Sequence, residues 1–147
     1  MNDKKKYFPA LNDVMHAEHT LSEILSPTPL IHNRTLSERY GAEVQLKRED
    51  LQVVRSYKIR GAYNKIRSLS TEQTERGIVC ASAGNHAQGV ALAAQKMGIK
   101  SVICMPDGAP ISKVEATKAF GAEACLVPGA YDDAYQKALS LCAETGA

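Results

Sequence analysis

The sequence of 147 residues contains no tryptophan, only two phenylalanines and no pair of adjacent glycines. It also has no apolar run near the roughly 20 residues that a membrane-spanning helix needs, and its polar start lacks the apolar core of a signal peptide. We therefore expect a cytoplasmic protein with no membrane partner.

An excess of one charge sign is missing as well. The 18 basic and 16 acidic residues leave a net charge of +2, too small to indicate a nucleic-acid partner. The one basic run, Lys4-Lys5-Lys6, lies at the start of the chain, where we expect a solvated tail. The composition, 44% apolar and 23% charged, is typical of a folded protein of about one domain.

The cysteines do not show the C-x-x-C spacing of zinc and redox sites. Three of them lie in short apolar runs that are typical of strands, and the fourth lies near the end of the chain. We expect buried, reduced thiols and no metal site. The four residues are Cys80, Cys104, Cys125 and Cys142.

The second half of the chain repeats an apolar run, a turn and a helical stretch three times. The predicted strands are Ile78 to Ala81, Ser101 to Met105 and Glu123 to Val127, and the predicted helices are His86 to Met97, Ser112 to Phe120 and Tyr131 to Glu144. Strands joined by crossover helices form a parallel sheet. Continuously apolar strands indicate helices on both faces, with ligands bound at the carboxyl ends of the strands. The predicted fold class is α/β.

The first half is less regular. Helical spacing of apolar residues predicts helices from Leu11 to Leu25, from Thr35 to Tyr40 and from Ser56 to Leu69. Alternation predicts a strand from Val44 to Lys47. Ser70 and Gln73 match a capping box, which predicts a further short helix.

One group of small and polar residues joins a predicted strand to a predicted helix. It is Ser82-Ala83-Gly84-Asn85-His86-Ala87-Gln88-Gly89. Small side chains let backbone N–H groups approach a ligand, and the free amides of a helix start favour an anion such as a carboxylate or phosphate. Asn85 could equally cap the helix, Ser82 could satisfy backbone groups, and His86 could have no special task.

A second group places a lysine at a predicted helix start between two arginines. It is Arg55-Ser56-Tyr57-Lys58-Ile59-Arg60-Gly61-Ala62. A helix N-terminus and neighbouring cations disfavour the ammonium form, and a neutral amine is the nucleophile that forms a Schiff base with a carbonyl. The alternative is a lysine that points into water, as most lysines do.

Together the two groups resemble the cofactor-lysine and asparagine-loop motifs of threonine and serine dehydratases. These are pyridoxal-phosphate (PLP) enzymes of the tryptophan-synthase-like fold, fold type II. The resemblance covers residues 27–147, because further motifs match in the family's order: Thr28-Pro29-Leu30, Leu46-Lys47-Arg48-Glu49-Asp50-Leu51-Gln52 and Met105-Pro106. Cysteine synthases and threonine synthases differ around both the lysine and the asparagine.

The resemblance implies that Lys58 holds pyridoxal 5'-phosphate as a Schiff base. It places Asn85 at the ring hydroxyl of the cofactor and Tyr57, where the family usually has phenylalanine, against the pyridine ring. The residues implied to hold the carboxylate of an amino-acid substrate are Ser82, Ala83, Gly84, Asn85 and His86.

The implied reaction is the conversion of L-threonine to 2-oxobutanoate and ammonia, the first step of isoleucine biosynthesis. The stretch from Leu51 to Arg55 is most similar to bacterial biosynthetic threonine dehydratases. Serine dehydratases and serine racemases share both motifs and are the alternative within the family. A non-catalytic α/β module that binds an anion at residues 82–86 is an alternative of another class.

The family's glycine-rich phosphate loop has no counterpart in the sequence. We therefore expect residues 1–50 to be a segment of the family's large domain and residues 51–147 to be its small, cofactor-facing domain. The remainder of the large domain and any regulatory domain would be absent, so that the chain alone binds PLP weakly and is a poor catalyst. The helix from Leu11 to Leu25 would lack its packing surface. The parent enzymes are commonly homotetramers.

Overall fold

The fold combines a parallel sheet with an antiparallel strand pair, in a computed structural model that describes residues 8–147. The run Lys4-Lys5-Lys6 lies outside these residues. The strands are β1 (Leu30–His32), β2 (Gln45–Lys47), β3 (Ile78–Ala81), β4 (Ser101–Pro106) and β5 (Glu123–Val127). The helices are α1 (Leu11–Ser22), α2 (Arg34–Tyr40), α3 (Lys58–Arg67), α4 (Thr71–Glu75), α5 (Asn85–Lys96), α6 (Ile111–Ala119) and α7 (Tyr131–Thr145), with a 3₁₀ turn at Glu49–Leu51.

The parallel sheet has the strand order β3-β4-β5, which confirms the predicted fold class. Ala81 is the register partner of Cys104, and Cys104 is the partner of Cys125. The three carboxyl ends therefore lie at one edge of the sheet. The segments that follow β3 and β4 leave from this edge and lead into α5 and α6.

Helices cover both faces of this sheet. Successive side chains of β4 point to opposite faces. Ile103 and Met105 pack in a core with α3 and α5, whereas Cys104 packs with Ala134 and Ala138 of α7 on the other face. Burial of both faces explains the nearly continuous apolar sequence of β4, the central strand.

Helix α3 buries the apolar face that its sequence predicts. The buried residues are Ile59, Ala62, Tyr63 and Ile66. The helix is shorter than predicted at both ends. After it, the Oγ of Ser70 accepts the N–H of Gln73 and the Gln73 side chain accepts the N–H of Ser70, at 3.2 and 3.0 Å, which confirms the capping box.

The N-terminal helix ends at Ser22, three residues before the predicted end. The N–H groups of Ile24 and Leu25 both donate to the carbonyl of Leu21, so the chain closes in a turn that brings these side chains against the core beside α3. This end of α1 thus has a packing surface. Three apolar residues nearer its start are exposed, namely Leu11, Val14 and Met15.

The antiparallel strand pair was only half predicted. Residues 44–47 were predicted as a strand, but the partner β1 was not, because β1 is defined by its pairing with β2 and not by a pattern of its own. Leu30 is the register partner of Lys47, and His32 of Gln45. The Oδ1 of Asn33 then accepts the N–H of Leu36 and caps α2.

The cysteines are all free thiols, but only Cys104 is buried. The expectation of burial is wrong for the other three, which are half-buried because β3 and β5 are edge strands and Cys142 lies on α7. Burial raises the pKa of Cys80 to about 11. The pKa of Cys104 is also raised to about 11, mainly by burial and then by the neighbouring Cys125.

Within residues 8–147 no cluster of metal-binding side chains occurs, and no helix is long and apolar enough to cross a membrane.

A largely buried carboxylate connects the N-terminal segment to α3. Glu49 accepts two hydrogen bonds from the guanidinium of Arg60, at 2.7 and 2.8 Å, and one from the hydroxyl of Thr28. Its side chain is only 14% exposed. The hydrogen bond from Arg60 is the main cause that lowers the pKa of Glu49 from 4.5 to about 2, against the opposing effect of burial.

Glu49→Gln should lower the free energy of unfolding by about 2 kcal/mol, because it leaves Arg60 without its carboxylate. Since folding lowers the pKa of Glu49, its contribution is complete above pH 4.5 and disappears as the pH falls towards about 2. Denaturant unfolding at several pH values measures this. The loss caused by Glu49→Gln should shrink on acidification, and a loss of equal size at every pH would contradict the assignment.

Glu38→Gln is the matched control. Glu38 pairs with Arg34 on the surface of α2, where the two side chains are 65% and 86% exposed. An exposed pair of this kind contributes little to stability. Glu38→Gln should therefore leave the unfolding free energy nearly unchanged at every pH.

Candidate functional site

The chain turns sharply just before Lys58, the first residue of α3. Arg55 has the left-handed backbone angle φ 57°, and its N–H donates to the carbonyl of Gln52 at 2.8 Å. Ser56 is buried and accepts the N–H of Lys58 at 3.4 Å. The prediction of Lys58 at a helix start is confirmed.

The side chain of Lys58 lies over an aromatic ring. Its Nζ is 5.1 Å from the ring centroid of Tyr57, a contact in which the ring face attracts the ammonium. Tyr57 is itself 59% exposed. A planar ligand that reaches Lys58 therefore meets an accessible aromatic face beside the amine.

The residues between β3 and α5 form a loop organised by one hydroxyl. The Oγ of Ser82, which is buried, accepts the N–H groups of Gly84 at 3.3 Å and Ala87 at 3.2 Å. Ser82 thus satisfies backbone groups, one of the two roles considered for it. Gly84 is the N-cap residue, so the alternative in which Asn85 caps α5 is wrong.

Two backbone amides at the start of α5 have no hydrogen-bond acceptor among the described residues. Among the residues that the structure describes, neither Asn85 nor His86 donates its backbone N–H to a protein group. A Cβ placed on Gly84 would meet nothing within 4 Å, so the loop borders open space. Two free amides at a helix start beside open space suit an anionic oxygen.

A glycine brings the two predicted motifs together. A Cβ on Gly89 of α5 would lie 3.0 Å from the carbonyl carbon of Lys58, 3.1 Å from its oxygen and 3.2 Å from the nitrogen of Ile59. Only a residue without a side chain allows this approach. The start of α3 is therefore held against the first turns of α5.

His86 lies within the electrostatic range of Lys58. Although His86 remains accessible, the protein packed around its imidazole lowers its pKa, and the positive charge of Lys58 lowers it further. Both effects favour the neutral ring at neutral pH. His86 therefore adds no second cation beside the amine.

One polar contact of the loop was not found from the sequence. The Nζ of Lys113 donates to the Oδ1 of Asn85 at 2.6 Å. Lys113 belongs to the first turn of α6, which follows β4 at the same edge of the sheet. Its position after a predicted strand was visible in the sequence, but nothing marked it out from other lysines.

The structure thus gathers Lys58, Tyr57 and the loop 82–86 at the carboxyl edge of the parallel sheet. This is where α/β proteins bind ligands. An amine, an aromatic face and free backbone amides together suit a planar carbonyl compound and a carboxylate. The individual role of each residue remains a prediction.

Comparison with known proteins identifies the class that this fold and site define. Residues 21–147 match the family described as pyridoxal-phosphate dependent enzyme. The chain belongs to this family, and the cofactor of the family is pyridoxal phosphate.

Two curated relatives and one solved structure are especially similar. The L-threonine ammonia-lyase of Thermotoga maritima is 50% identical over 137 residues, which are 93% of this chain and 34% of that protein. The L-threonine dehydratase biosynthetic IlvA of Bacillus subtilis is 48% identical over 132 residues, or 88% and 31%. The structure of maize serine racemase superposes with a TM-score of 0.89 at 33% identity, covering 96% of this chain and 43% of that one. The chain thus spans about a third of the length of these curated relatives.

Gly89→Ala should disturb the site, because the added methyl group would press on the backbone of Lys58 and Ile59. We expect a loss of about 1–3 kcal/mol in unfolding free energy, as for other overpacked cores. We also expect weaker labelling of Lys58 by aldehydes. Denaturant unfolding and mass spectrometry of the labelled chain measure the two effects.

Gly61→Ala is the matched control within α3. A Cβ on Gly61 would meet nothing within 4 Å. This change should stabilise the helix by up to about 1 kcal/mol and leave the labelling of Lys58 intact. Equal effects of the two substitutions would show that the close approach at Gly89 is unimportant.

Proposed function

We propose that this chain carries the cofactor lysine and the carboxylate-binding loop of a PLP-dependent L-threonine ammonia-lyase, which converts L-threonine to 2-oxobutanoate and ammonia. One observation carries the proposal. Lys58 begins α3 and is held by the close approach of Gly89 beside the free amides of the loop 82–86. The two motifs most typical of the resemblance are thereby brought to one place.

The residues present fit pyridoxal phosphate. Lys58 offers a primary amine for the aldehyde of the cofactor, Tyr57 an exposed aromatic face for its ring, and Asn85 a side-chain amide for its ring oxygen. Open space lies next to Gly84.

In the proposed mechanism the protein supplies position and proton transfer. Bound pyridoxal phosphate supplies an electron sink for the bond broken at the α-carbon. The amides of Asn85 and His86 would orient the substrate carboxylate, and the Nζ of Lys58 would take the α-proton. A neutral His86 adds no positive charge near Lys58.

The choice of threonine is supported by the two curated relatives, whose names specify L-threonine. The word "biosynthetic" in one of these names supports a place in isoleucine synthesis.

A serine dehydratase or serine racemase is the second candidate, favoured by the similarity to maize serine racemase. The same proposal places the protein in the cytoplasm and makes its parent enzyme a homotetramer. It also assigns residues 1–50 to the large domain and residues 51–147 to the small domain.

Borohydride reduction of the PLP-treated chain, followed by peptide mapping, tests the central claim. A pyridoxyl adduct should be found on Lys58. Lys58→Ala should abolish it, because Lys58 is the amine that lies over the ring of Tyr57 at the start of α3. Lys65→Ala is the matched control two turns along α3 and should keep the adduct on Lys58. An adduct spread evenly over surface lysines would contradict the proposal.

The same samples distinguish the alternatives. Phosphate binding without an adduct would support the anion-binding module instead. If the adduct forms, a larger absorbance change of the PLP-loaded chain with L-threonine than with L-serine at equal concentration supports threonine. The reverse order supports the serine enzymes.

A further inference from the structure

A lysine from α6 holds the side chain of Asn85. The Nζ of Lys113 lies 2.6 Å from the Oδ1 of Asn85, and the two residues are 28 positions apart. Lys113 is half-buried, whereas Asn85 is exposed. The bond joins the helices that follow β3 and β4, so it lies at the edge of the sheet that carries the proposed cofactor site.

This bond determines what Asn85 can offer to a ligand. A carboxamide has an acceptor oxygen and a donor nitrogen, and without a partner it can present either end. An ammonium group has only donors, so it binds the oxygen. Lys113 thereby leaves the Nδ2 of Asn85 as the end that faces a ligand, and Asn85 acts as a hydrogen-bond donor.

The charge of Lys113 has no acidic partner. Within residues 8–147, Lys113 forms no ion pair, whereas Lys118 on the same helix pairs with Glu115 at 3.1 Å. A bound cofactor ring would exclude water from one side of the bond. The electrostatic effect of the Lys113 charge on that ring would then be stronger. A purely structural tie between two exposed groups would contribute little to stability.

We propose that Lys113 is a positioning residue of the cofactor site. It fixes the amide of Asn85 so that Nδ2 donates to the ring oxygen of pyridoxal phosphate, and its charge favours the ionised form of the bound ring. This inference rests on the proposed function of Lys58 and Asn85. It adds a residue from the second βα unit, β4 and α6, to a site otherwise formed by two motifs.

The contact itself can be tested without cofactor. In ¹⁵N NMR spectra of the full chain, Lys113→Met should shift the side-chain NH₂ signals of Asn85 and leave those of Asn33 and Asn64 in place. Lys113→Arg keeps a donor and should restore the Asn85 signals towards their original positions. Lys118→Met removes a cation from the same helix and should have no effect. Unchanged Asn85 signals in Lys113→Met would overturn the inference.

The consequence is tested with the chain saturated with pyridoxal phosphate. Loss of a nearby cation raises the pKa of any group that titrates on the bound ring. The midpoint of the absorbance change with pH should therefore rise by about 0.5–1 pH unit in Lys113→Met, return in Lys113→Arg and stay constant in Lys118→Met.

Borohydride trapping separates the two proposals. If Lys58 is trapped but the midpoint does not move in Lys113→Met, the role of Lys113 is refuted and the cofactor role of Lys58 stands. If Lys58 is not trapped in the original chain, both proposals fail together. A shifted midpoint with equal trapping of Lys58 in all variants supports the positioning role.

Discussion

The contact between Gly89 and the backbone of Lys58 is the constraint on which the candidate site depends. The two helices meet through residues with little or no side chain, since Ala87 and Ala91 of α5 are fully buried in the same core as Ile59 of α3. Close packing of this kind tolerates little change in volume. The position of the lysine is therefore determined by the hydrophobic core as much as by the residues around its amine.

The electrostatics of the site follow from which charges are paired. Arg60 lies close to Lys58 in sequence, but its guanidinium is bound to Glu49 and its charge is largely compensated. Lys58 and Lys113 have no carboxylate partner among residues 8–147, and His86 favours its neutral form. The edge of the sheet is thus positive at two points, which suits a ligand that carries a phosphate and a carboxylate.

Much of this fold is predictable from local patterns. The three βα units, the buried face of α3 and the capping box at Ser70 each rest on residues near one another in the chain. The end of α1 and the strand β1 were not predicted correctly, because tertiary packing of Leu21 and strand pairing across 15 residues decide them. Patterns within one element carry no information about such partners.

The candidate site shows the same division. Both motifs were found from the sequence, and the resemblance to dehydratases gave each residue a role that the geometry alone does not. The pairing of Arg60 with Glu49 and the bond from Lys113 to Asn85 could not be found, since each joins separate elements. Gly89 was part of a recognised motif, but its contact with Lys58 depends on the helix packing.

The backbone of Arg55 has a consequence for how this sequence can vary. At φ 57° an ordinary L-residue is strained by about 1–2 kcal/mol, whereas glycine and, in part, asparagine adopt this conformation readily. Glycine and asparagine are therefore favourable replacements at position 55, whereas valine, isoleucine and proline are unfavourable. Arg55 lies three residues before Lys58, in the turn that leads into α3. Replacing Arg55 by glycine or asparagine can therefore stabilise the fold without changing a group at the site.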